Sequence, residues 1–255
     1  MLDIKDLVKS YNKKEVLNIP HLKIEKGELI GIVGNNGAGK STLFRLILDL
    51  IAPDQGEVLS KGTPVNSSEE WKNYTGSYID NTLLLRYLTP TEYLNFIGKL
   101  SNMNKEEISE QAEKYRSYLG SENLDQNKYI RNLSSGNQQK VGIVGTLINQ
   151  PELIIWDEPF NFLDPTAQEN TKKLLDRLHK TTDASILVSS HNLEHMLTIC
   201  SRIILLENGV IIKDIKGDAE VYQSEIMSYF LKEMEESIEE IQHKEIQSKE
   251  VISEE

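Results

Sequence analysis

The amino-acid sequence predicts an α/β fold with a mainly parallel core sheet. Three apolar segments, residues 29–33, 153–156 and 184–190, have the length of buried strands. The first is followed by a glycine-rich loop, the second by two acidic residues and the third by a histidine. Segments with helical patterns separate the three along the chain. Strands that alternate with helices form parallel sheets, and parallel sheets place ligand-binding groups at the carboxyl ends of their strands.

Flanking segments extend this sheet. Residues 1–33 predict short strands with a turn at 12–14, and residues 57–59 and 74–79 predict two more strands. Residues 202–206 and 210–212 predict a hairpin, because Glu-Asn-Gly joins two apolar runs.

A helical insertion interrupts the strand-and-helix pattern over residues 88–132. Thr89, Pro90 and Glu92 form a helix start with a cap, a proline at the first position and an acid at the third. Asn104 caps a second helix, which Gly120 closes.

Composition limits the class of protein. The chain has 255 residues, enough for one large domain or two small ones, and a formal net charge of −12. Its single cysteine, Cys200, excludes a disulfide framework and is typical of a reducing compartment. Apolar runs are shorter than a membrane span requires. We therefore expect a cytosolic protein that binds no nucleic acid, because an acidic chain lacks attraction for phosphate backbones.

Much of the negative charge lies at the C-terminus. Residues 232–255 contain nine Glu and three Lys, and residues 218–255 predict an acidic helical tail. Met227, Leu231, Met234, Ile238 and Ile241 form an apolar stripe at helical spacing. This stripe could pack on the chain's own domain, or it could contact a dimer mate or another partner. Both interpretations stay open.

The strongest motif is the segment that follows the first apolar strand. Its residues are Gly34, Asn35, Asn36, Gly37, Ala38, Gly39, Lys40, Ser41 and Thr42. A strand, a glycine loop, Lys-Ser and a helix in this order predict a P-loop. The glycines allow backbone N–H groups to surround a phosphate chain. Lys40 is expected to reach the β- and γ-phosphates, and the Ser41 hydroxyl to bind Mg²⁺.

Two further strands end in groups suited to the same nucleotide. Asp157 and Glu158 follow residues 153–156, and His191 follows residues 184–190. Because the carboxyl ends of parallel strands share one edge of a sheet, these three side chains are expected to converge.

Together these motifs resemble the ATP-binding subunit of ABC (ATP-binding cassette) transporters over residues 1–217. Asp157 lies 117 residues after Lys40, and His191 lies 33 after Glu158, as in that family. The resemblance implies a P-loop cassette with a mainly parallel core sheet, an antiparallel β subdomain and a helical subdomain at about 88–135. Residues 218–255 would form a separate acidic tail.

The resemblance also assigns roles. Asp157 would hold Mg²⁺ through water, Glu158 would activate the attacking water, and His191 would contact the γ-phosphate. From its position alone, Tyr11 is a half-buried strand residue, but the resemblance makes it the adenine-stacking aromatic.

A second set of residues resembles the part of the family that binds the ATP of an opposite subunit. Ser134, Ser135, Gly136 and Asn137 resemble the signature motif, and Asp164 resembles the aspartate of the dimer loop. This implies a head-to-tail homodimer that encloses two ATP molecules.

Two departures from the family pattern stand out. Ser135 replaces a glycine and Asn137 a glutamine; a positive φ at Ser135 would cost about 1 kcal/mol. Asp80 occupies the Q-loop position, where the family carries a glutamine, and is a third candidate for the metal. Asn81 could supply the amide instead. An acid at this position also resembles some bacterial exporters.

The leading interpretation is an ATPase subunit that drives transport, with export preferred, through a separate transmembrane permease at the inner face of the cell membrane. A soluble ABC ATPase unconnected with transport is one alternative. A regulatory module that encloses ATP with little turnover is another.

Overall fold

A computed structural model describes residues 1–120 and 128–217. The chain divides into two compact units, Met1–Asp214 and Ile215–Glu255. The predicted acidic tail at 218–255, with its apolar stripe, lies outside the described residues, as do residues 121–127 of the helical insertion. The predicted domain boundary at residue 217 lies three residues beyond the division between the two units.

The described secondary structure alternates strands and helices after an N-terminal hairpin. The strands are β1 (Leu2–Tyr11), β2 (Lys14–Ile24), β3 (Leu29–Val33), β4 (Gln55–Ser60), β5 (Thr63–Pro64), β6 (Thr75–Tyr78), β7 (Leu153–Trp156), β8 (Ser185–Ser190), β9 (Arg202–Glu207) and β10 (Val210–Lys216). The α-helices are α1 (Lys40–Ile47), α2 (Pro90–Leu100), α3 (Lys105–Lys114), α4 (Arg116–Leu119), α5 (Ser135–Gly145), α6 (Pro165–Thr181) and α7 (Leu193–Leu197).

A six-stranded sheet in the order β10-β9-β3-β8-β7-β6 forms the centre of the first unit. Strand β3 pairs in parallel with both β8 and β9, and β7 pairs in parallel with both β8 and β6. Every residue of β3, β7 and β8 is buried. This explains why β3 and β7 are apolar throughout rather than alternating, and why β8 has only small serines beside its apolar residues. The predicted mainly parallel core sheet is confirmed.

A smaller antiparallel sheet in the order β2-β1-β4-β5 packs beside it. The hairpin of β1 and β2 turns at Asn12 and Lys13, both at positive φ, within the predicted turn. One apolar core joins this sheet to α1 and to strands of the large sheet; it includes Ile4, Ile19, Phe44, Ile155 and Leu187.

Helices α2–α4 form the predicted insertion, and their starts follow from the sequence. Thr89 caps α2 and Asn104 caps α3, each in a complete capping box with the glutamate three residues on. The second predicted helix is broken at Tyr115 into α3 and α4, and Gly120 closes it at φ 82°.

No helix within the described ranges is long and apolar enough to cross a membrane.

Candidate functional site

The P-loop connects β3 to α1, at the carboxyl edge of the large sheet. The N-terminal cap of α1 is Gly39 at φ 105°, and no side chain among the described residues caps this end. The first N–H groups and the positive end of the helix dipole are therefore available to an anion. Lys40 is the first residue of α1 and is 95 % buried, so its ammonium group lies inside the loop.

Close approach explains two of the loop's glycines. A Cβ at Gly34 would lie 2.2 Å from the Leu206 carbonyl oxygen, so only glycine allows β3 to leave the sheet there. Gly37 has φ 87°, and no described atom lies within 4 Å of where its Cβ would be. That open side is suited to a phosphate chain held by backbone N–H groups.

Three predicted catalytic side chains meet at this edge. Lys40 Nζ lies 3.2 Å from Glu158 Oε1, and His191 Nδ1 lies 2.9 Å from Glu158 Oε2. Glu158 Oε1 is buried, and its contact with Lys40 is an ion pair without hydrogen-bond geometry. Lys40 Nζ instead donates to the carbonyl oxygens of Gly34 and Asn35, at 2.7 and 3.2 Å. The structure thus places the glutamate between the P-loop lysine and the histidine.

Glu158 itself has φ 49°, a left-handed conformation that is rare for a residue with a side chain. Its backbone N–H donates to Ser189 Oγ at 2.8 Å, which links the end of β7 to the end of β8. Strain of this kind is held by surrounding contacts and is common at active sites.

Asp157 lies one residue earlier and is buried. Burial raises the pKa of its carboxyl group, and hydrogen bonds from the Ser189 and Ser41 hydroxyls lower it. Glu158 raises this pKa further, and Lys40 lowers it.

The donor set fits Mg²⁺. Ser41 offers a hydroxyl and Asp157 a carboxylate, and both are oxygen ligands of the kind that this ion prefers. Within the described chain, no cluster of three or more His, Cys, Asp or Glu residues could hold a metal by itself.

The described contacts of Asp80 are with Thr82 and Arg45. Its Oδ1 accepts from the Thr82 N–H at 2.6 Å and from the Thr82 hydroxyl, and its Oδ2 lies 4.0 Å from Arg45 Nη2 on α1. Asp80 also caps a short 3₁₀ turn. Its role as a third metal ligand stays a prediction. Asn81 is also engaged, since its amide oxygen accepts from the Tyr78 hydroxyl at 2.8 Å.

The signature residues form the start of α5. Ser134 is the N-terminal cap and accepts from the Asn137 N–H at 3.3 Å. Ser135 is the first helical residue and has a negative φ, so the strain considered for this serine is absent. Gly136 does need to be glycine, because a Cβ there would lie 2.8 Å from the Phe162 carbonyl oxygen.

The candidate dimer loop follows β7 and leads into α6. Asp164 caps α6 and accepts from the Ala167 N–H at 2.9 Å. Proline at the first helical position and the aspartate cap together fix where the helix begins.

Tyr11 ends β1 and is 45 % exposed as a residue, with Lys9 Nζ 5.6 Å from the centroid of its ring. The ring is therefore accessible for stacking.

Of the histidines without a predicted role, His21 contacts Asp3 at 3.1 Å and His195 packs edge-on against Phe160 at 4.7 Å. His243 lies outside the described residues.

Two supporting residues were not predicted. Ser189 bonds both acidic positions, Asp157 and the Glu158 backbone. Gln139 on α5 is 99 % buried and donates to the Pro159 carbonyl oxygen, which ties the signature helix to the segment after Glu158. The sequence signal that could have identified such residues is a polar residue in an otherwise apolar segment, such as Ser189 and Ser190 at the end of β8.

Comparison with known proteins identifies the family. The family model described as ABC transporter matches residues 17–161. The ABC transporter ATP-binding protein NatA of Bacillus subtilis is 35% identical over 207 residues, which cover 80% of this chain and 82% of that protein. The sulfate/thiosulfate import ATP-binding protein CysA of Pectobacterium atrosepticum is 30% identical over 236 residues, which cover 90% of this chain and 71% of that protein.

A solved structure agrees with the fold. The dimeric ATP-binding cassette MJ0796, in a post-hydrolysis state bound to ADP and Pi, superposes with a TM-score of 0.76 at 27% identity. The match covers 85% of this chain and 98% of that one. The chain therefore belongs to the ABC transporter family, as an ATP-binding subunit that hydrolyses ATP with Mg²⁺.

Proposed function

We propose that this chain is the motor subunit of a transporter and that Glu158 is the base of its ATPase reaction. The observation that carries the proposal is the position of the Glu158 carboxylate, 3.2 Å from Lys40 Nζ and 2.9 Å from His191 Nδ1. A base beside the P-loop lysine can reach a water molecule next to the γ-phosphate and take a proton from it.

The neighbouring residues have distinct tasks. Lys40 and the N–H groups at the start of α1 bind and orient the β- and γ-phosphates. Mg²⁺ held by Ser41 and Asp157 would neutralise charge that develops on the phosphate oxygens. His191 Nδ1 donates to the Glu158 carboxylate and so fixes its direction, while Ser189 Oγ accepts from the backbone N–H of that glutamate and holds it in place.

A second copy of the chain would complete each site. Ser134 and the first N–H groups of α5 form a helix N-terminus on an exposed surface, suited to a phosphate. The dimeric state of MJ0796 supports a homodimer. In the head-to-tail arrangement that the family resemblance implies, this end of α5 would face the P-loop of the other copy. Tyr11 would stack on the adenine ring, because its face is accessible.

Replacement of Glu158 by Gln tests the assignment of the base. We expect ATP binding to persist and hydrolysis to fall by about 10²–10⁴-fold, because an amide cannot accept the proton of water. Glu152→Gln is the matched control, since it makes the same change at the opposite end of β7, where Glu152 binds Lys61. If Glu158→Gln hydrolyses ATP at the rate of the unaltered protein, the assignment of Glu158 as the base is wrong. Slow turnover in the unaltered protein would favour the ATP-enclosing regulatory module.

The membrane subunit is a separate part of the proposal. Relatives named as ATP-binding subunits of transport systems support a separate permease and a location at the inner face of the membrane. Co-purification of this chain from native membranes with a multi-span protein would support it. Ribosomal or chromosomal partners would favour a soluble ATPase instead. Export stays a prediction from the overall resemblance and Asp80.

Asp80 is the proposed coupling residue between this subunit and the permease. It joins α1, through Arg45, to the turn that precedes the helical insertion. Asp80→Ala is expected to reduce the permease-stimulated ATPase activity more than the basal ATPase activity. Asp80→Asn is the comparison variant, because it keeps the cap on Thr82 and removes only the charge that faces Arg45. An equal loss of both activities in Asp80→Ala would contradict this role.

A further inference from the structure

A cavity of about 490 Å³ lies in the first unit, at the edge of the large sheet opposite the P-loop. One wall is formed by the end of α3 and Tyr115, and the other by the end of α6 with the amino ends of β7 and β8. Cavities that hold small molecules have volumes of about 300–1,000 Å³. The cavity is therefore large enough for a ligand, and of the described residues that line it, none is assigned to the ATP site.

The inner surface of the cavity is apolar. Four of its lining residues are at most 5 % exposed, namely Leu147, Ile154, Leu178 and Ala184. A ligand that packs against these side chains removes apolar surface of its own and of the protein from water. The inner surface therefore favours a ligand with an apolar body.

Two buried polar side chains on the α3 wall have hydrogen-bonding groups that the described chain does not use. Gln111 is 7 % exposed, and its amide oxygen accepts from Lys114 Nζ at 3.2 Å. The Gln111 amide nitrogen has no hydrogen-bond partner among the described residues, and the same is true of the hydroxyl of Tyr115, which is 8 % exposed. Burial raises the pKa of that phenol, so its hydroxyl is a neutral donor at pH 7. Polar groups this deeply buried are normally bonded, so both are suited to a ligand.

Arg177 supplies a positive charge at the mouth of the cavity. Its guanidinium lies 5.5 Å from the centroid of the Tyr115 ring, and no carboxylate of the described residues forms an ion pair with it. The other charged residues of the lining have partners within the chain: Lys26 with Asp183 at 3.5 Å, Lys114 with Glu110 at 3.5 Å and Glu152 with Lys61 at 2.8 Å. One unpaired cation matches a ligand with a single negative charge.

We propose that this cavity is a second ligand site, separate from the ATP site, and that it binds a small aromatic carboxylate. The Gln111 amide, the Tyr115 hydroxyl and the Arg177 guanidinium are all donors, and a carboxylate is an acceptor that a guanidinium binds through two parallel bonds. An aromatic ring fits the apolar inner surface and stacks on a guanidinium or a phenol. A doubly charged phosphate would bring one charge without a partner into an apolar cavity.

Titration of the full chain with 6-fluoro-2-naphthoate, followed by fluorine NMR, tests the proposal. We expect one saturable site with a Kd of about 0.1–1 mM, which is ordinary for a ligand of this size. The uncharged naphthamide of the same shape should bind about tenfold more weakly, because it lacks the charge that pairs with Arg177. The absence of saturable binding up to about 10 mM naphthoate would overturn the proposal.

Substitutions locate the bound naphthoate. Arg177→Ala should weaken binding about tenfold, and Tyr115→Phe, which keeps the ring, about three- to fivefold. Lys180→Ala is the matched control for Arg177→Ala, because Lys180 is an exposed cation on the same helix that pairs with Asp176 and lies outside the lining. Equal affinity of Arg177→Ala and Lys180→Ala for the naphthoate would overturn the assignment of this cavity.

Thermal unfolding separates ligand binding from a structural role of the same residues. Without ligand, Tyr115→Phe should leave the unfolding midpoint unchanged, because the hydroxyl that it removes has no partner in the described chain. At ten times the Kd, naphthoate should raise the midpoint of the unaltered chain by about 3–6 °C. A lower midpoint of Tyr115→Phe without ligand would show that this hydroxyl stabilises the fold, and its assignment to a ligand would be wrong.

Competition with nucleotide distinguishes this site from the ATP site. Naphthoate binding should persist when the P-loop is saturated with Mg²⁺ and an ATP analogue that is not hydrolysed. A naphthoate Kd that rises in proportion to the concentration of the analogue would place the ligand in the nucleotide site and overturn the proposal. The ATPase assignments would stand in that case, because they depend on residues at the opposite edge of the sheet.

Discussion

The P-loop region and the signature region both present a helix N-terminus, but they differ in how they are surrounded. Around the P-loop, Lys40 and Asp157 are buried and bonded to side chains or carbonyls of the same chain. Around the signature, Ser134, Asp164 and Phe162 are exposed and are held mainly by their own helix caps and backbone. One region is complete within a single chain, and the other is a rigid surface suited to a second molecule.

This difference separates binding from turnover. The P-loop region has the groups needed to bind ATP and Mg²⁺, so single-copy binding depends on it. In the proposed dimer, the signature region contributes only when two copies meet. Substitutions in the two regions are therefore expected to give different defects, and three predictions test that expectation.

The largest effect is expected from Lys40→Ala. Loss of the buried ammonium group removes the positive charge beside the phosphates and leaves Glu158 without its ion-pair partner. We expect ATPase activity to fall by about 10²–10³-fold and ATP binding by the single chain to weaken, as measured by calorimetry. Lys61→Ala, which removes an exposed lysine, is the control. Unchanged ATP binding by Lys40→Ala would contradict the assignment of this region.

A smaller effect of a different kind is expected from Ser134→Ala. The change removes the cap of α5 and a hydroxyl that would contact phosphate. We expect about a tenfold loss of ATPase activity, with ATP binding by the single chain preserved. Asn104→Ala removes the cap of α3 and should lower only stability. If Ser134→Ala weakens single-chain ATP binding as strongly as Lys40→Ala, the separation of the two regions is wrong.

The smallest effect concerns stability. Folding raises the pKa of Asp157, so its ionised carboxylate disfavours the folded state at neutral pH, and this penalty disappears below the unfolded pKa of about 3.9. Asp157→Asn should therefore raise the unfolding midpoint without nucleotide by about 2–4 °C at pH 7 and abolish the stabilisation by Mg²⁺–ATP. The gain should shrink toward pH 4. A lower unfolding midpoint of Asp157→Asn at pH 7 would contradict this prediction.

Much of this arrangement could be predicted from the sequence, because it depends on local patterns. The buried strands β3 and β7 are apolar throughout, and the helix starts at Thr89 and Asn104 contain complete capping boxes. The convergence of Lys40, Glu158 and His191 follows from parallel strands that end at one edge.

The remainder depends on contacts between distant residues, which a single sequence does not encode locally. The position of Asp80 beside Arg45 depends on where α1 lies relative to β6. The left-handed backbone of Glu158 is held by its bond to Ser189 on β8, and that of Phe162 lies against Gly136 on α5. The Gln139 contact with Pro159 joins segments 20 residues apart, and its only signal was a polar residue on an apolar helix face.

The central claim is that each ATP site combines the P-loop region of one copy with the signature region of another. Single-turnover hydrolysis by a mixture of Lys40→Ala and Ser134→Ala chains tests it directly. In a mixed dimer one site would carry both defects and the other would carry neither, so random pairing predicts about a quarter of the unaltered activity from two impaired proteins. A mixture no more active than its components would contradict the claim.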